Sequence, residues 1–434
     1  MGIKLGLCGV GSFGSAFVSL FQSHPGVDEV YLADLFPDRL AEKAAENKVV
    51  KTFPSLDELC KSDCDAIAIF TQRWMHGPQA VQALKAGKHV YSAVPAAMTL
   101  EELEELVKTV EETGLTYMMG ETSYYRSQTT FCRNAFAAGK FGEFVYGEGQ
   151  YHHDMAHFYK SYMHSGKDQW KPTASCPPML YPTHSTAFIL AVTFRRMTEV
   201  SCFGYVDHHI DGIFDPDLSL WGNVFSNESA LFRTSDGGMA RVNEFRRTAH
   251  SMMDRMTITG THGCYQEQPR AEGGTLSNVV STLDFPEGYG VDGTIPFATA
   301  GKDVKLRFKD HNDLCVFKSV VVTEENIGDL PKEYLGKTFN GVSPFQPWQQ
   351  LPVEFADRKN GHEGTHVFMV NDFVRAVNQQ QLPPNHVWQA ARYNAPGIVA
   401  HASAQKDGER LSIPDFGTPP AGAATMNETF PLQP

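Results

Sequence analysis

A chain of 434 residues exceeds one ordinary domain, and its 42% hydrophobic and 20% charged residues are those of a globular protein with a full core. A formal charge of −13 argues against nucleic acid or an anionic membrane as partner, because a basic surface marks binding to either. No apolar run is long enough to span a bilayer, and eight cysteines in no framework spacing read as reduced thiols of a cytoplasmic protein. The strand pattern starts so close to Met1 that no export signal is expected, and Cys60 and Cys64 lack the second pair that a zinc site needs.

The first third alternates strand and helix. Ile3–Val10 reads as a buried strand, Ser15–Gln22 as a helix and Glu29–Leu35 as a second strand. Asp65–Thr71, a helix around Gln79–Ala86 and the strand His89–Ala93 follow. Thr99, with Glu102 three positions on, forms a capping box before the apolar repeat Leu100, Leu103, Leu106, Val107, Val110. Leu115–Met119 closes the series as a strand. This alternation predicts a parallel sheet with helices on both faces.

After Glu121 the texture changes. A helix over Thr129–Ala138 leads into strand-like segments at Phe144–Tyr151, Glu199–Val206, Ala230–Thr234 and Met239–Phe245, the last two flanking the turn Asp236-Gly237-Gly238. Helices over Val367–Val377 and Trp388–Ala404 are expected to pack on that sheet. The predicted architecture is a doubly wound Rossmann domain over residues 1–122, then an α+β domain over 123–434 with a large, mostly antiparallel open sheet.

Gly9, Gly11 and Gly14 form G-x-G-x-x-G, with Ser12 and Phe13 inside it, between the first strand and first helix. The first glycine allows the tight turn, the second lets backbone approach a pyrophosphate, and the third lets helix and strand pack closely. Asp34 ends the second strand, twenty residues beyond Gly14, where a carboxylate bonds a ribose diol and repels a 2′-phosphate. Leu35 and Phe36 follow it rather than an arginine, so the expected cofactor is NAD and not NADP.

With these features the chain resembles the glucose–fructose oxidoreductase / inositol dehydrogenase (Gfo/Idh/MocA) superfamily over nearly its whole length. Dehydrogenases of that group carry Glu-Lys-Pro after the fifth strand, with the lysine transferring protons; here the residues are Ala93-Val94-Pro95. Their Asp-x-x-x-His pattern is also missing, and Tyr181-Pro182-Thr183-His184 stands instead. Val94–Glu102, Tyr151-His152-His153-Asp154, Tyr181–His184 and Gly120-Glu121 together resemble one branch of the superfamily, the NAD-dependent α-N-acetylgalactosaminidase type of glycoside hydrolase.

The resemblance implies a reaction with no net redox change. NAD⁺ transiently oxidises the sugar's C3 hydroxyl, the ketone acidifies the C2 hydrogen, the aglycone is eliminated, water adds and the hydride returns. His184 suits the base for the 3-hydroxyl, because its ordinary pKa lies near neutrality. Tyr151 suits the C2 step if a neighbouring cation favours its phenolate. Tyr181 is expected to orient or relay protons, and Glu121 to meet the nicotinamide ribose or the sugar. Thr71, Trp74, His76, Val94 and Pro95 are expected along the cofactor, at the carboxyl edge of the sheet. Arg73, His153, Asp154 and His362 are expected at the sugar.

Two patterns compete. His362-Glu363-Gly364-Thr365-His366 fits H-E-x-x-H, the zinc-protease signature, but stands at a helix start with no third ligand at the usual spacing, so it reads as a chance match. His152, His153, Asp154 and His157 form a polar site edge more readily than a cation site, and no metal is expected. A sugar or polyol dehydrogenase with net hydride transfer is the alternative reading, with a non-catalytic NAD-binding regulator behind it. The expected partners are a small glycoside, a hexoside above all, and further copies of the chain.

Overall fold

A computed structural model describes residues 2–166, 169–208, 211–248, 253–267, 279–281, 305–306 and 319–426. Packing divides the chain into two units: Met1–Ser127 with Val316–Ala395 and Asp415–Leu432, and Gln128–Cys315 with Pro396–Pro414 and Gln433–Pro434.

The first unit is built on six strands, β1 (Ile3–Cys8), β2 (Val27–Ala33), β3 (Thr52–Phe53), β4 (Ala66–Ile69), β5 (His89–Ser92) and β6 (Tyr117–Met119). They are all parallel, in the order β3-β2-β1-β4-β5-β6. Helices α1 (Ser15–Ser23), α2 (Pro37–Asn47), α3 (Leu56–Cys60), α4 (His76–Lys85) and α5 (Leu100–Thr113) alternate with them, so the doubly wound prediction holds. Leu5, Leu7 and all of β4 are buried, as strands covered on both faces must be. Thr99 caps α5 by accepting the Glu102 N–H at 3.2 Å, while the Glu102 carboxylate reaches back to Met98 N at 2.8 Å. The order reverses between β1 and β4, which opens a crevice at their carboxyl ends.

The helix His366–Gln379 belongs to this unit. It packs on α1, Phe373 against Phe21 and His366 against Phe17 at 4.3 Å between ring centres, rather than on the second sheet as expected. Phe17 and Phe21, one turn apart on α1, supply the aromatic surface that this helix meets. Two short antiparallel strands, Ser319–Val321 and Thr338–Asn340, also belong to this unit.

In the second unit the strands are β7 (Phe144–His152), β8 (Met197–Val206), β9 (Phe225–Thr234), β10 (Met239–Phe245), β11 (Met253–Gly260), β12 (Gly263–Gln266), β13 (Val279–Ser281) and β14 (Lys305–Leu306). Together with Leu411–Ser412 at the β8 edge they form one nine-stranded sheet, with β7 between β11 and β10. Only β7 and β10 pair in parallel; the remaining neighbours are antiparallel. The Asp236–Gly238 turn joins β9 to β10 as predicted, with Gly237 at φ 88°.

One face of this sheet is covered by the wholly buried helix Thr183–Thr193. Gly147, Gly149 and Tyr151 alternate along β7 and therefore share a face. A Cβ on Gly149 would overlap the Ser185 carbonyl, and one on Gly147 would press Ile189 at 3.0 Å. The two glycines let the helix lie directly on the strand, which brings its first turn to Tyr151.

Candidate active site

The residues expected to hold the dinucleotide lie in the first unit around the β1–β4 crevice. Gly9 takes a φ of 92°, open to glycine without strain, and a Cβ on Gly14 would overlap the Gly9 carbonyl oxygen. A Cβ on Gly11 would meet nothing within 4 Å, so the loop backbone is open above that residue, as a pyrophosphate requires. Ser12 and Phe13 at the loop tip are exposed. Asp34 is buried at the end of β2, accepting from Val10 N and Phe36 N at 2.9 Å each. These residues fit a nicotinamide dinucleotide.

The β4 and β5 carboxyl ends are tied together by His76. Its ring nitrogens lie 3.0 Å from the Pro95 carbonyl and 3.1 Å from the Thr71 carbonyl, and burial lowers its pKa to about 4. A neutral His76 carries a single N–H and donates to one of these two carbonyls, holding the loop after β4 beside the Val94–Pro95 turn. Thr71 donates to Gln79 at 2.5 Å, and Arg73, Trp74 and Met75 form a single partly exposed turn. Glu121 is wholly buried and caps the short helix Thr122–Tyr125 by accepting Ser123 N at 2.8 Å.

His362 and Glu363 adopt left-handed backbone, so the H-E-x-x-H residues do not lie on one helical turn. His362 and His366 hydrogen-bond each other at 2.8 Å, and both rings stand edge-on to Phe13 of the glycine loop. Glu363 pairs with the buried Arg126 at 3.4 Å. Among the described residues no group of three or more His, Cys, Asp or Glu is placed to hold a metal ion; His157 lies outside those whose side chains are described.

In the second unit the sequence-predicted tyrosines and histidines come together. Because β7 and β10 run in parallel, their carboxyl ends emerge side by side, Tyr151 opposite Glu244. The Tyr151 ring centre lies 5.2 Å from His184, 5.1 Å from His153 and 6.2 Å from Tyr181. His184 Nε2 is 3.3 Å from the Tyr181 hydroxyl. Asp154 accepts Thr248 N at 3.1 Å, which pins the chain just beyond β7.

Beneath this cluster sits Arg246, 3% exposed, its guanidinium carbon 4.7 Å from the Tyr151 ring centre and 5.6 Å from that of Tyr181. Its charge is balanced by Glu244 at 2.6 Å, and Glu244 also accepts Ser185 Oγ at 2.5 Å. Burial raises the Glu244 pKa to about 7 against the opposing pull of Arg246. Burial also holds the Tyr151 phenol well above its usual range, with Arg246 again working the other way. At rest, then, Tyr151 is a phenol beside the one kind of group that stabilises its phenolate.

Family models match the chain at both ends: residues 3–121 match the oxidoreductase family NAD-binding Rossmann fold (GFO_IDH_MocA), and residues 345–420 the C-terminal domain of glycosyl hydrolase 109. A glycosyl hydrolase family 109 protein of Solibacter usitatus (strain Ellin6076) is 25% identical over 445 residues, covering 95% of this chain and 88% of that protein. One of Streptomyces niveus is 25% identical over 441 residues, covering 95% and 77%. The chain pairs a Gfo/Idh/MocA Rossmann domain with a glycosyl hydrolase 109 C-terminal domain. It is an NAD-dependent enzyme acting on sugars. Solved structures of the same fold include scyllo-inositol dehydrogenase of Lactobacillus casei with bound NAD(H) and scyllo-inositol, at TM-score 0.62 and 17% identity over 95% of this chain and 99% of that one. A levoglucosan dehydrogenase in complex with NADH and levoglucosan superposes at TM-score 0.66 and 15% identity, over 95% and 100%.

Within this Gfo/Idh/MocA and glycosyl hydrolase 109 frame, reasoning from sequence missed Arg246, Glu244 and Ser185 in the second unit. Arg246 meets Tyr151 across the β7–β10 pairing, a contact that no local spacing announces. A usable signal was present in Gly147-x-Gly149-x-Tyr151, which marks a strand face laid against another backbone. In the first unit it missed Arg39, which pairs with Asp34 from the first turn of α2.

Proposed function

We propose that this protein is a glycoside hydrolase that works by oxidation and elimination on a small hexoside. The observation that carries the reading is the Tyr151–Tyr181–His184 cluster on the buried Arg246, in a chain whose C-terminal part matches glycosyl hydrolase 109. The glycine loop and Asp34 would hold NAD, with Glu121 at its ribose or the sugar and Thr71, Trp74, Val94 and Pro95 along it. A bound NAD would supply a hydride acceptor at the sugar's C3 and, reduced, the donor that restores it.

The chain's own groups move the protons. His184 takes the 3-hydroxyl proton as the C3 ketone forms, and Tyr181, in reach of its Nε2, passes that proton onward. The ketone acidifies C2, and Tyr151, its own phenol proton released to solvent, accepts the C2 proton as the phenolate that Arg246 stabilises. The C2 electron pair forms the C1–C2 double bond as the C1–O bond breaks, and the leaving oxygen takes a proton from solvent. Water then adds at C1, and Tyr151, its proton exchanged with solvent, protonates C2. Arg73, His153, Asp154 and His362 are assigned to the sugar.

The test is a panel of aryl hexosides incubated with purified protein while aglycone and NADH absorbance at 340 nm are followed together. Aglycone release with no NADH accumulation supports the proposal. NADH formed in step with product, the glycosidic bond intact, would establish the second reading, a net sugar dehydrogenase.

A further inference from the structure

We propose that Glu228 and His401 are positioning residues of the second unit, and that through Met179 they set Tyr181 against His184. The inference rests on the glycosidase reading for what those two residues do.

Tyr151, Glu244 and Glu228 stand opposite one another on β7, β10 and β9, so their side chains share one face of the sheet. Both carboxylates are fully buried, and like charges on neighbouring strands repel. Each therefore needs its own partners. Glu244 has Arg246 and Ser185, whereas Glu228 draws on a different set. Its Oε1 lies 2.8 Å from His401 Nδ1, and its Oε2 accepts Met179 N at 2.7 Å. His401 comes from the end of the helix Val387–Ala404, within the part that belongs to this unit.

The same helix meets the Pro178–Leu180 turn a second time. One turn before His401, a Cβ on Gly397 would overlap the Met179 carbonyl oxygen and the Pro182 ring. Met179 is gripped at both backbone groups, its N–H by Glu228 and its carbonyl against Gly397. From the other side, Arg246 Nη2 reaches the Pro178 and Tyr181 carbonyls at 3.5 and 3.4 Å. The turn is held between the two buried pairs, and Tyr181, whose N donates to the Pro178 carbonyl at 3.0 Å, follows it. The Tyr181 hydroxyl is 3.3 Å from His184 Nε2, at the long end of a hydrogen bond. A shift of roughly a few tenths of an ångström at Met179 is enough to part them. A buried ion pair is a poor device for stability alone, since apolar residues of the same volume serve as well. What Glu228 adds is a directed bond to Met179, and His401 is the partner that offsets its burial.

The test joins two readouts on the full chain: kcat and KM on a hexoside that the wild type hydrolyses, and the nitrogen NMR signals of His184 without sugar. Glu228→Ala should lower kcat about 10–10²-fold, the weight of a small misplacement, with KM within about threefold. It should also move the His184 signals. Glu228→Gln keeps an acceptor for Met179 N and should restore both, kcat to within about threefold of wild type. His401→Ala leaves a buried carboxylate without that partner and should lower kcat about tenfold. In the Glu228→Gln background the same change should cost less than about threefold, because no charge is left to offset. Should Glu228→Ala not fold, the two His401→Ala comparisons carry the test. Unmoved kcat and His184 signals in Glu228→Ala, a Glu228→Gln that fails to restore them, or an equal His401→Ala loss in both backgrounds would overturn the proposal. A wild type that releases no aglycone sinks the glycosidase reading instead, and the His184 signals still decide the positioning.

Discussion

Tyr151 is asked to lose a proton at a buried position, and burial alone makes that hard. Arg246, over its ring, is the compensating charge, and Glu244 keeps that charge in place. If this division of labour is right, Tyr151→Phe should lower kcat on an active glycoside by about 10²–10⁴-fold, the usual weight of a general base, while NAD binding is unchanged. Arg246→Lys keeps the charge but loses the planar fork that spans Glu244 and the tyrosines, so it should lower kcat more than it raises KM. It should also move the rising limb of the pH–rate profile, where Tyr151 loses its proton, to higher pH, whereas a merely structural arginine would leave that limb where it was. The residue-scale features that local spacing encodes were legible: the glycine loop, Asp34, and Tyr181 with His184 one helical turn on. Arg246 and Arg39 were not, because each reaches its partner through a pairing or a turn that exists only in the folded chain.

At the scale of elements, the meeting of the helix Thr183–Thr193 with β7 places His184 against Tyr151. The contact is backbone to strand, with Gly149 under Ser185. Gly149→Ala should therefore destabilise the fold by about 1–3 kcal/mol, the usual range for overpacking, and should also depress activity by lifting His184 from Tyr151. A variant that melts like wild type in calorimetry would show that the helix is not seated as described. Strand and helix order in the Rossmann domain was readable from hydrophobic alternation, because the central strands β1 and β4 are buried on both faces. The packing of His366–Gln379 was misjudged for a related reason. Its apolar face reports that it is buried, not against which unit, and no local spacing names Phe17 and Phe21 of α1 as its partners.

For the molecule as a whole, the first unit carries several neutral histidines in its core. Burial lowers His76 to about 4, His24 to about 4 and His386 to about 3. Two of these rings accept a backbone N–H at Nδ1, His24 from Gly26 and His386 from Gln389, and protonation would break both bonds. The unfolded chain takes up these protons near pH 6.5 and the folded chain only near pH 4. Their stabilisation is thus complete above pH 6.5 and is lost as the pH falls toward 4, by about 3 kcal/mol for a fully buried ring such as His76. The melting temperature should fall steeply between pH 6.5 and 4.5, and His386→Asn should flatten that slope; a flat profile in wild type would contradict neutral burial.

The central claim is that the protein oxidises, eliminates and re-reduces its substrate with no net consumption of NAD. It is tested most directly by running aryl hexoside hydrolysis in deuterium oxide and reading the released sugar by mass spectrometry and NMR. The account predicts one deuterium at C2, aglycone in many-fold excess over NAD, and no NADH at 340 nm. Aglycone release with hydrogen retained at C2 would contradict it, since no elimination across C1 and C2 could then have taken place.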